Sequence, residues 1–388
     1  MPVTTISREE ELHWLALILV PGLGARRTSL LLERFGSPQA VFRASVDELE
    51  AAGLAASAAR SIASGCTFDD AIRQQERMRE LGVAAIPLVD ARYPRRLREI
   101  YDPPPLLFAL GRIEWLAGIM IGVVGTRRAT PYGKVVTERL AGDLARAGLV
   151  IVSGMARGID TAAHRAALDA GGATVAVFGC GVDVIYPTEN RQLAAQIARE
   201  GLIVSEFPMG APAYPQNFPV RNRVVSGMSS GVLVVEGAQY SGSAITARLA
   251  LEQGRELFAV PGNITSKMSW GPNLLIKQGA KLVQDWNDVV EELPQDERVA
   301  LAKAGRERIR AAGGDSAEAQ AELDFGPNTL LAKTLLAKLS VDQPVHIDAL
   351  LETLADFSSS EIIAVLFELE MLGLVRQLPG RNYVKVWV

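Results

Sequence analysis

The chain has 388 residues, of which 48% are hydrophobic, so it is long enough for two or three domains that each bury a core of their own. Its two cysteines, Cys66 and Cys180, are too few for a disulfide framework or a zinc site, which predicts a reducing compartment such as the cytoplasm. The N-terminal residues do not resemble a signal peptide, and no uninterrupted apolar run reaches about 18 residues, so we predict neither secretion nor membrane insertion.

The net charge of −4 is unevenly distributed along the chain. Residues 119–282 contain 16 basic and 11 acidic side chains, a surplus of +5 within an acidic protein. A surplus of this size is also compatible with an ordinary surface, because clustering matters more for nucleic-acid binding than the total. The positions of these cations therefore decide whether they mark a binding site.

Residues 1–82 have helical periodicity without a strand signal. Between the first two amphipathic segments lies Pro21-Gly22-Leu23-Gly24, a spacing typical of a helix-hairpin-helix, whose turn can offer N–H groups to a phosphate. We predict a small helical domain of the helix-hairpin-helix or SAM-like type. A helical bundle whose glycine-rich turns bind nothing fits the same pattern.

Residues 83–290 alternate short apolar runs with amphipathic helical segments. The runs read IGVVG, LVIVSG, ATVAVFG, LIVSEF, GVLVVEG and ELFAVPG. Continuous apolar runs indicate strands that are buried on both faces, as in a parallel sheet covered by helices. The predicted fold class is therefore α/β, with a Rossmann-like doubly wound sheet whose ligands bind at the carboxyl ends of the strands.

The last part of the chain divides into a linker and a small domain. Residues 291–326 are rich in charge and alanine but poor in large apolar groups, which predicts a charged linker that is partly helical. Residues 327–388 contain three helical segments followed by a hairpin around Pro379-Gly380, the pattern of a winged helix.

The segment IGVVGTRRATPYG, residues 121–133, is the first candidate for chemistry. Its β-branched run ends at Gly125-Thr126-Arg127-Arg128, where we expect backbone N–H groups and two guanidiniums to face outward at a turn. Such a turn suits phosphate. The glycine spacing matches neither G-x-G-x-x-G nor a loop ending in G-K-[ST], so the sequence predicts a phosphate other than that of a standard nucleotide loop.

Two other loops end at helix starts that could attract an anion. The segment SGMARGIDTAAH places Ser153, Gly154 and Arg157 just before a helix that starts near Asp160, and Asp160 is expected to be its N-terminal cap. The segment VEGAQYSGSAITA places Ser241, Gly242 and Ser243 before another helix.

The segment APAYPQNFPVRNRVVSG, residues 211–227, has the densest mixture of aromatic and basic side chains. Tyr214, Phe218, Arg221 and Arg223 fall within ten residues, and we interpret the segment as a loop. Rings stack on bases while arginines contact phosphates, a combination typical of single-stranded nucleic-acid binding. A loop pinned by its prolines, with Phe218 in the core, is the alternative.

Catalytic signals are weaker than binding signals. Cys180 has no evident base nearby in sequence, and His164 follows Asp160 by one helical turn, where core packing or a local hydrogen bond is expected. The sequence contains no G-x-S-x-G, no H-E-x-x-H and no metal-ligand spacing. We therefore predict a binding module rather than an enzyme, with no metal or cofactor.

The motifs of residues 93–283 together resemble the DprA/Smf family, the DNA-processing protein A of bacterial recombination. The resemblance rests on GVVGTRRATPYG, VSGMARGIDTAAH, GCGVDVIYP, SEFP, FPVRNRVVSG, VVEGAQYSGSAITA and VPG followed by GPNLLIKQGA, in that order. It implies an extended Rossmann domain, commonly preceded by a small helical domain and sometimes followed by a winged helix.

The resemblance also implies a function. Family members are non-enzymatic proteins that coat incoming single-stranded DNA, protect it and help load RecA during natural transformation, and we expect a homodimer. Many relatives have a lysine where this chain has Thr188, so the basic contact there is either missing or supplied by Arg191. The residues predicted to contact DNA are Gly125, Thr126, Arg127, Arg128, Ser153, Gly154, Arg157, Arg191, Phe218, Arg221, Arg223, Ser241 and Gly242.

Two other functions remain open at this stage. A nucleotide phosphoribohydrolase-like enzyme shares this sheet, but its glutamate-bearing loop corresponds here to YSGSAITARLA, which has no acidic residue. A winged-helix transcription regulator would need a cationic recognition helix, whereas the expected helix contains Glu361, Glu368 and Glu370 and no lysine or arginine.

Overall fold

The computed structural model describes residues 6–239, 241–311, 329–340, 343–354, 357–371 and 374–386. The chain divides into two compact units, Met1–Leu293 and Pro294–Val388. No helix among the described residues is both long and apolar enough to cross a membrane.

The first unit begins with six helices. They are α1 (Arg8–Ile18), α2 (Ala25–Phe35), α3 (Pro38–Arg43), α4 (Val46–Ala51), α5 (Ala56–Ser64) and α6 (Phe68–Leu81). Capping boxes at Ser7 and Ser45 fix the starts of α1 and α4. Trp14 of α1 and Met78 of α6 pack in one hydrophobic cluster with Phe108 of the sheet. The boundary predicted at residue 82 therefore crosses a continuous core.

The sheet of the first unit has nine strands. They are β1 (Ala84–Pro87), β2 (Leu106–Gly111), β3 (Met120–Val124), β4 (Val150–Ser153), β5 (Thr174–Phe178), β6 (Leu202–Ser205), β7 (Gly231–Val234), β8 (Glu256–Ala259) and β9 (Lys281–Leu282). Their order is β1-β2-β6-β5-β4-β3-β7-β8-β9, in which β1 and β2 pair antiparallel and the other seven run parallel. The six predicted runs are confirmed as β3 to β8, and the sequence analysis missed β1, β2 and β9.

Helices cover the sheet and connect its strands. They are α7 (Arg95–Arg98), α8 (Pro131–Ala147), α9 (Ile159–Asp169), α10 (Arg191–Glu200), α11 (Asn217–Met228), α12 (Gly242–Glu252), α13 (Trp270–Lys277) and α14 (Asn287–Val290). The segment that we interpreted as a loop, residues 211–227, is largely the helix α11, so that interpretation was wrong. Pro219 lies in the first turn of α11, where a helix does not need its missing N–H.

The strand order reverses at β3. The chain passes from β3 to β4, β5 and β6 on one side and returns through α11 to β7 on the other side of β3. Such a reversal opens a crevice at the carboxyl ends of the strands, which is where doubly wound sheets bind ligands. The loops after β3, β4 and β7 meet at this crevice.

The two reactive side chains of the sheet domain are both buried. His164 shares a 2.7 Å hydrogen bond with the Thr174 hydroxyl through its Nδ1 atom, and burial lowers the pKa of His164 to about 3. Burial also raises the pKa of the Cys180 thiol to about 11. Both groups are therefore neutral at pH 7, in agreement with the core roles expected from the sequence.

The described residues of the second unit form four helices and a small sheet. The elements are α15 (Gln295–Ala311), α16 (Thr329–Lys338), β10 (Val345–His346), α17 (Ile347–Thr353), α18 (Ser359–Met371), β11 (Val375–Leu378) and β12 (Asn382–Lys385). The strand order β10-β12-β11 behind α16, α17 and α18 confirms the predicted winged helix. Much of the segment predicted as a linker is α15, and residues 312–326 of that segment lie outside the described residues.

Candidate functional site

A pocket with a volume of about 530 Å³ opens where the loops after β3, β4 and β7 meet the first half of α11. Nine of the thirteen residues predicted to contact DNA line it. They are Gly125, Thr126, Arg127, Arg128, Gly154, Phe218, Arg221, Ser241 and Gly242. The structure therefore brings together residues that are separated by more than one hundred positions in the sequence.

The turn after β3 presents side chains rather than backbone to the pocket. The N–H of Thr126 donates to the carbonyl of Glu236 at 2.7 Å, and the N–H of Arg128 donates to the Thr126 hydroxyl at 3.1 Å. These two N–H groups are thus already bonded, which corrects the prediction that they face an incoming anion. The side chains of Arg127 and Arg128 are exposed, so the guanidiniums are the groups that can bind a phosphate.

Gly125 allows this turn to lie close to its neighbours. A Cβ atom at position 125 would lie 2.5 Å from Cγ1 of Ile159 and 2.9 Å from the carbonyl oxygen of Glu236. A larger residue would push the turn away from α9 and β7. The glycine is therefore required by packing at this turn.

The backbone N–H groups of the loop after β4 are bonded by a carboxylate of the protein itself. The carboxylate of Asp160 accepts hydrogen bonds from the N–H groups of Gly154 at 3.0 Å and Ala156 at 3.3 Å. We expected these N–H groups to attract an external anion. The Asp160 carboxylate bonds to them instead and does not cap α9. Burial raises the pKa of Asp160, while the positive charge of Arg221 and the two N–H groups act in the opposite direction.

Arg221 lies at the back of the pocket and holds it together. Its side chain is only 4% exposed, and its Nη1 donates to the carbonyl oxygen of Gly154 at 2.5 Å and to that of Val177. Burial lowers the pKa of Arg221, and the nearby Asp160 carboxylate opposes that shift. Much of this guanidinium is already engaged by the protein, although Arg221 lines the pocket, so its contact with DNA stays a prediction.

Arg223 does not reach the pocket. It is 7% exposed and its guanidinium forms ion pairs with Glu206 at 2.5 Å and with Asp102 at 3.1 Å. Burial is also what raises the pKa of Glu206 to about 7, and Arg223 opposes this shift. The prediction that Arg223 contacts DNA is corrected for a simple geometric reason: it lies two residues from Arg221 on a helix, so the two side chains point in different directions.

Phe218 and Arg127 line the pocket and contact each other. The guanidinium carbon of Arg127 lies 5.6 Å from the centroid of the Phe218 ring, within the range of a cation–π contact. Phe218 is half-buried and packs against the backbone at Gly179, where an added Cβ would lie 2.9 Å from the ring. The ring is thus anchored on one side and leaves part of its surface to the pocket.

The start of α12 closes the pocket on the β7 side. The Ser241 hydroxyl caps the helix by accepting a bond from the N–H of Ala244 at 3.4 Å, and it lies 2.7 Å from the Ser243 hydroxyl. Gly242 is exposed. This helix start carries two hydroxyls and free space for a ligand atom, consistent with the predicted position of Ser241 and Gly242.

Three further predicted residues do not line the pocket. Ser153 is buried and its hydroxyl donates to the carbonyl of Val123 at 2.6 Å. Arg157 is exposed beside a smaller neighbouring cleft, where it pairs with Glu189. Arg191 is exposed at the start of α10 and is not part of the pocket lining, and its contact with DNA stays a prediction.

Asn222 and Thr246 also line the pocket and were missed from the sequence, whereas Ser243 was named there as part of the helix start at Ser241. A helical reading of residues 217–228 would have found the first of these. Phe218, Arg221, Asn222 and Val225 are spaced i, i+3, i+4 and i+7, which is one face of a helix, and all four line the pocket.

The pocket is equipped for binding an anion beside a planar group. Among its described lining residues Asp160 is the one carboxylate, and it is bonded to two N–H groups. The described part of the chain also contains no group of three His, Cys, Asp or Glu side chains placed to hold a metal ion. What faces the pocket is two guanidiniums, an aromatic ring and several hydroxyl and amide groups.

Fold and pocket together define a doubly wound α/β protein with a crevice that exposes two guanidiniums at the carboxyl ends of its strands, and with an attached winged helix. Residues 84–294 match the family model described as DNA recombination-mediator protein A, and residues 316–381 match the model of the DprA winged helix domain. The chain belongs to the DprA/Smf family.

Relatives and solved structures agree with this assignment. The chain is 48% identical over 218 residues to DNA processing protein DprA of Bacillus subtilis, which is 56% of this chain and 73% of that protein. It is 39% identical to Protein Smf of Escherichia coli over 78% of this chain and 77% of that protein.

Two solved structures resemble a large part of the chain. The DprA structure from Streptococcus pneumoniae is 34% identical with a TM-score of 0.63, covering 75% of this chain and 99% of that one. A Helicobacter pylori DNA processing protein A, whose structure is described as giving insight into its single-stranded DNA binding mode, is 32% identical with a TM-score of 0.50, covering 55% of this chain and 97% of that one.

Substitution of Arg221 should lower the stability of the fold more than substitution of Arg127, although both arginines line the pocket. Arg221→Met removes the donor to two buried carbonyls and leaves Asp160 without its nearby cation, so we expect a loss of about 3 kcal/mol in the free energy of unfolding. Arg127→Met affects an exposed side chain and should cost less than about 1 kcal/mol. Urea unfolding of both variants measures the difference, and equal losses would contradict the structural role assigned to Arg221.

Proposed function

We propose that this protein binds single-stranded DNA in the pocket and acts, in the cytoplasm, as a non-catalytic mediator of recombination that protects incoming DNA during transformation. The observation that carries the proposal is the pairing of Arg127 with Phe218 at the pocket mouth. A guanidinium neutralises a phosphate while an aromatic face stacks on a base, and neither contact depends on base identity. The single-stranded DNA binding described for the Helicobacter pylori relative supports the same assignment.

The buried carboxylates support a binding role over hydrolysis. Glu236, at the end of β7, accepts hydrogen bonds from the N–H of Thr130 at 3.0 Å and from the Thr130 hydroxyl at 2.6 Å, so its carboxylate secures the start of α8. Asp160 is similarly bonded within its own loop. A general base needs a carboxylate free to take a proton from a reacting group, and both of these serve the fold instead.

The winged helix is better suited to a protein partner than to duplex DNA. Its helix α18 contains Glu361, Glu368 and Glu370 and no lysine or arginine, and Ile363 and Phe367 are 49% and 62% exposed. An acidic recognition helix would be repelled by phosphates. A role as a transcription regulator is therefore not the one we propose.

Preference for single strands is the first expectation. At equal length and salt, an unstructured oligonucleotide should bind more tightly than a duplex, because a duplex hides its bases from Phe218. Arg127→Ala should weaken binding and reduce the slope of log K against log salt by about 0.7, the value for one phosphate contact on a single strand. Fluorescence anisotropy at several salt concentrations measures both.

Arg60→Ala is the matched control, since Arg60 is an exposed arginine outside the pocket. Its affinity and salt slope should equal those of the wild-type chain. Equal affinity for duplex, or an unchanged slope for Arg127→Ala, would count against the site.

Removal of the second unit should spare DNA binding. A chain truncated after Leu293 retains the whole of the first unit and every residue of the pocket. We expect its single-strand affinity to stay within about threefold of the full chain, or roughly 0.65 kcal/mol. A loss of tenfold or more in the same titration would mean that the winged helix contributes to DNA binding.

We further propose that the protein helps to load RecA on the bound strand. This follows from the family and from a pocket that contacts the DNA through few residues, which leaves most of the strand accessible. Adding the protein should speed RecA-filament assembly on single-stranded DNA severalfold, as measured by light scattering or RecA ATPase activity, and Arg127→Ala should reduce the effect. No change in either assay would contradict the proposal.

A homodimer is the proposed working form. Strand β9 lies at the edge of the large sheet with Leu282 38% exposed, and Trp270 of the adjoining α13 is 41% exposed, so this edge offers an apolar surface. Multi-angle light scattering at micromolar concentration should give about twice the chain mass of 41.7 kDa. A strictly monomeric protein in the presence of DNA would contradict it.

A further inference from the structure

Tyr186 stands beside the pocket without being part of its lining. It lies on the loop between β5 and α10, with 44% of its surface exposed. Its ring centroid is 5.4 Å from that of Phe218, with an angle of 35° between the two planes. Because Arg127 contacts the same Phe218 ring, the three side chains form a row of planar groups: Arg127, Phe218 and Tyr186.

The row borders a cleft next to the main pocket. Tyr186, Pro187 and Arg157 line this cleft together with Phe218 and Arg127, which it shares with the pocket. A strand whose phosphate meets Arg127 can therefore extend past Phe218 toward Tyr186. The exposed guanidinium of Arg157 lies on the same side.

The loop that carries Tyr186 is held on both sides. Before Tyr186, the carboxylate of Asp183 pairs with Arg77 of α6 at 2.5 Å and accepts a bond from the N–H of Gly210 at 2.8 Å. After it, the amide of Asn190 donates to the carbonyl of Met155 at 3.0 Å. The ring is thus presented by a fixed loop, and a ligand would not need to order it.

Packing alone does not explain a tyrosine at this position. A ring needed only to cover Phe218 would be expected to bury most of its surface, whereas Tyr186 leaves nearly half of it to solvent. The Tyr186 hydroxyl has no hydrogen-bond partner among the described residues. A hydrogen bond within the protein therefore does not explain the tyrosine at this position either. An exposed, immobilised aromatic face next to a cationic site is what base stacking requires.

We propose that the exposed face of Tyr186, at the edge of this cleft, forms a second base-stacking subsite, which takes the base of a nucleotide adjacent to the one held by Arg127 and Phe218. The cleft itself has a volume of about 30 Å³, so the base would lie over the ring and not inside the cleft. This proposal rests on the proposed binding of single-stranded DNA and names a contact that extends it by one nucleotide. The ligand group is a nucleobase of any identity, because stacking on an aromatic face is tolerant of sequence.

The test compares Tyr186→Ala with the wild-type full-length chain on two oligomers of equal length, oligo-dT and the corresponding abasic strand. On oligo-dT the variant should bind roughly tenfold more weakly, the range for loss of one stacked base. On the abasic strand the two proteins should bind equally, because no base is present to stack. The salt slope should be the same for both proteins, since Tyr186 neutralises no phosphate.

Three variants serve as controls. Tyr186→Phe keeps the ring and should bind as the wild type does. Tyr186→Leu keeps apolar packing against Phe218 but has no aromatic face, so it should show the loss seen with alanine and covers the case in which the alanine variant does not fold. Tyr101→Ala removes another exposed tyrosine outside both cavities and should have no effect.

The outcomes distinguish failure of the Tyr186 subsite from failure of the proposed single-stranded DNA binding. Wild-type affinity of Tyr186→Ala and Tyr186→Leu for oligo-dT would overturn the subsite alone. So would a deficit that persists undiminished on the abasic strand, since Tyr186 would then act by positioning Phe218 or Arg127. Failure of the wild-type chain to bind either oligomer would overturn the proposed function together with this subsite.

Discussion

The buried guanidinium of Arg221 is the contact on which the geometry of the pocket depends. It projects from α11 and bonds to the carbonyl of Gly154, after β4, and to that of Val177, on β5. It also lies near Asp160 of α9, whose carboxylate in turn fixes the N–H groups of the loop after β4. Without this cation, two buried carbonyls would lose their hydrogen-bond donor and the buried Asp160 carboxylate would lose the nearby positive charge. The helix α11 would also lose these bonds to the ends of the central strands.

This arrangement divides the arginines of the basic segment into two classes. Arg221 and Arg223 are buried and bonded within the protein: Arg221 to two carbonyls behind the pocket, and Arg223 to two carboxylates away from it. Arg127 and Arg128 are exposed at the mouth of the pocket and remain free to meet a phosphate. The surplus of positive charge in residues 119–282 is therefore only partly available to a ligand: the arginines of the turn after β3 are exposed, whereas those of α11 are buried.

The sheet was predictable because its strands are continuous β-branched runs, each followed by a helix that ends near a glycine. The edge strands β1 and β9 were not, since Ala84–Pro87 is short and contains a proline and Lys281–Leu282 has only two residues. At the site, the turn after β3 lines the pocket as predicted. The local sequence could not show that the Thr126 N–H donates to the backbone carbonyl of Glu236, because that residue lies more than one hundred positions away. The assignment of residues 211–227 as a loop failed because its prolines suggested one. A helix tolerates Pro219 in its first turn, however. The sequence also contained the i, i+3, i+4, i+7 spacing of the residues that line the pocket from α11.

The central proposal is that single-stranded DNA lies across the pocket with its bases against the aromatic side chains. Photocrosslinking of the full-length protein to a 5-iodouracil-substituted oligonucleotide, with the attached peptides identified by mass spectrometry, tests this claim most directly. The account predicts crosslinks to the peptides that contain Phe218 and Tyr186, and their disappearance when an excess of unmodified single strand is added. Crosslinks confined to the second unit, or to the helices α2 to α5 of the first, would contradict it.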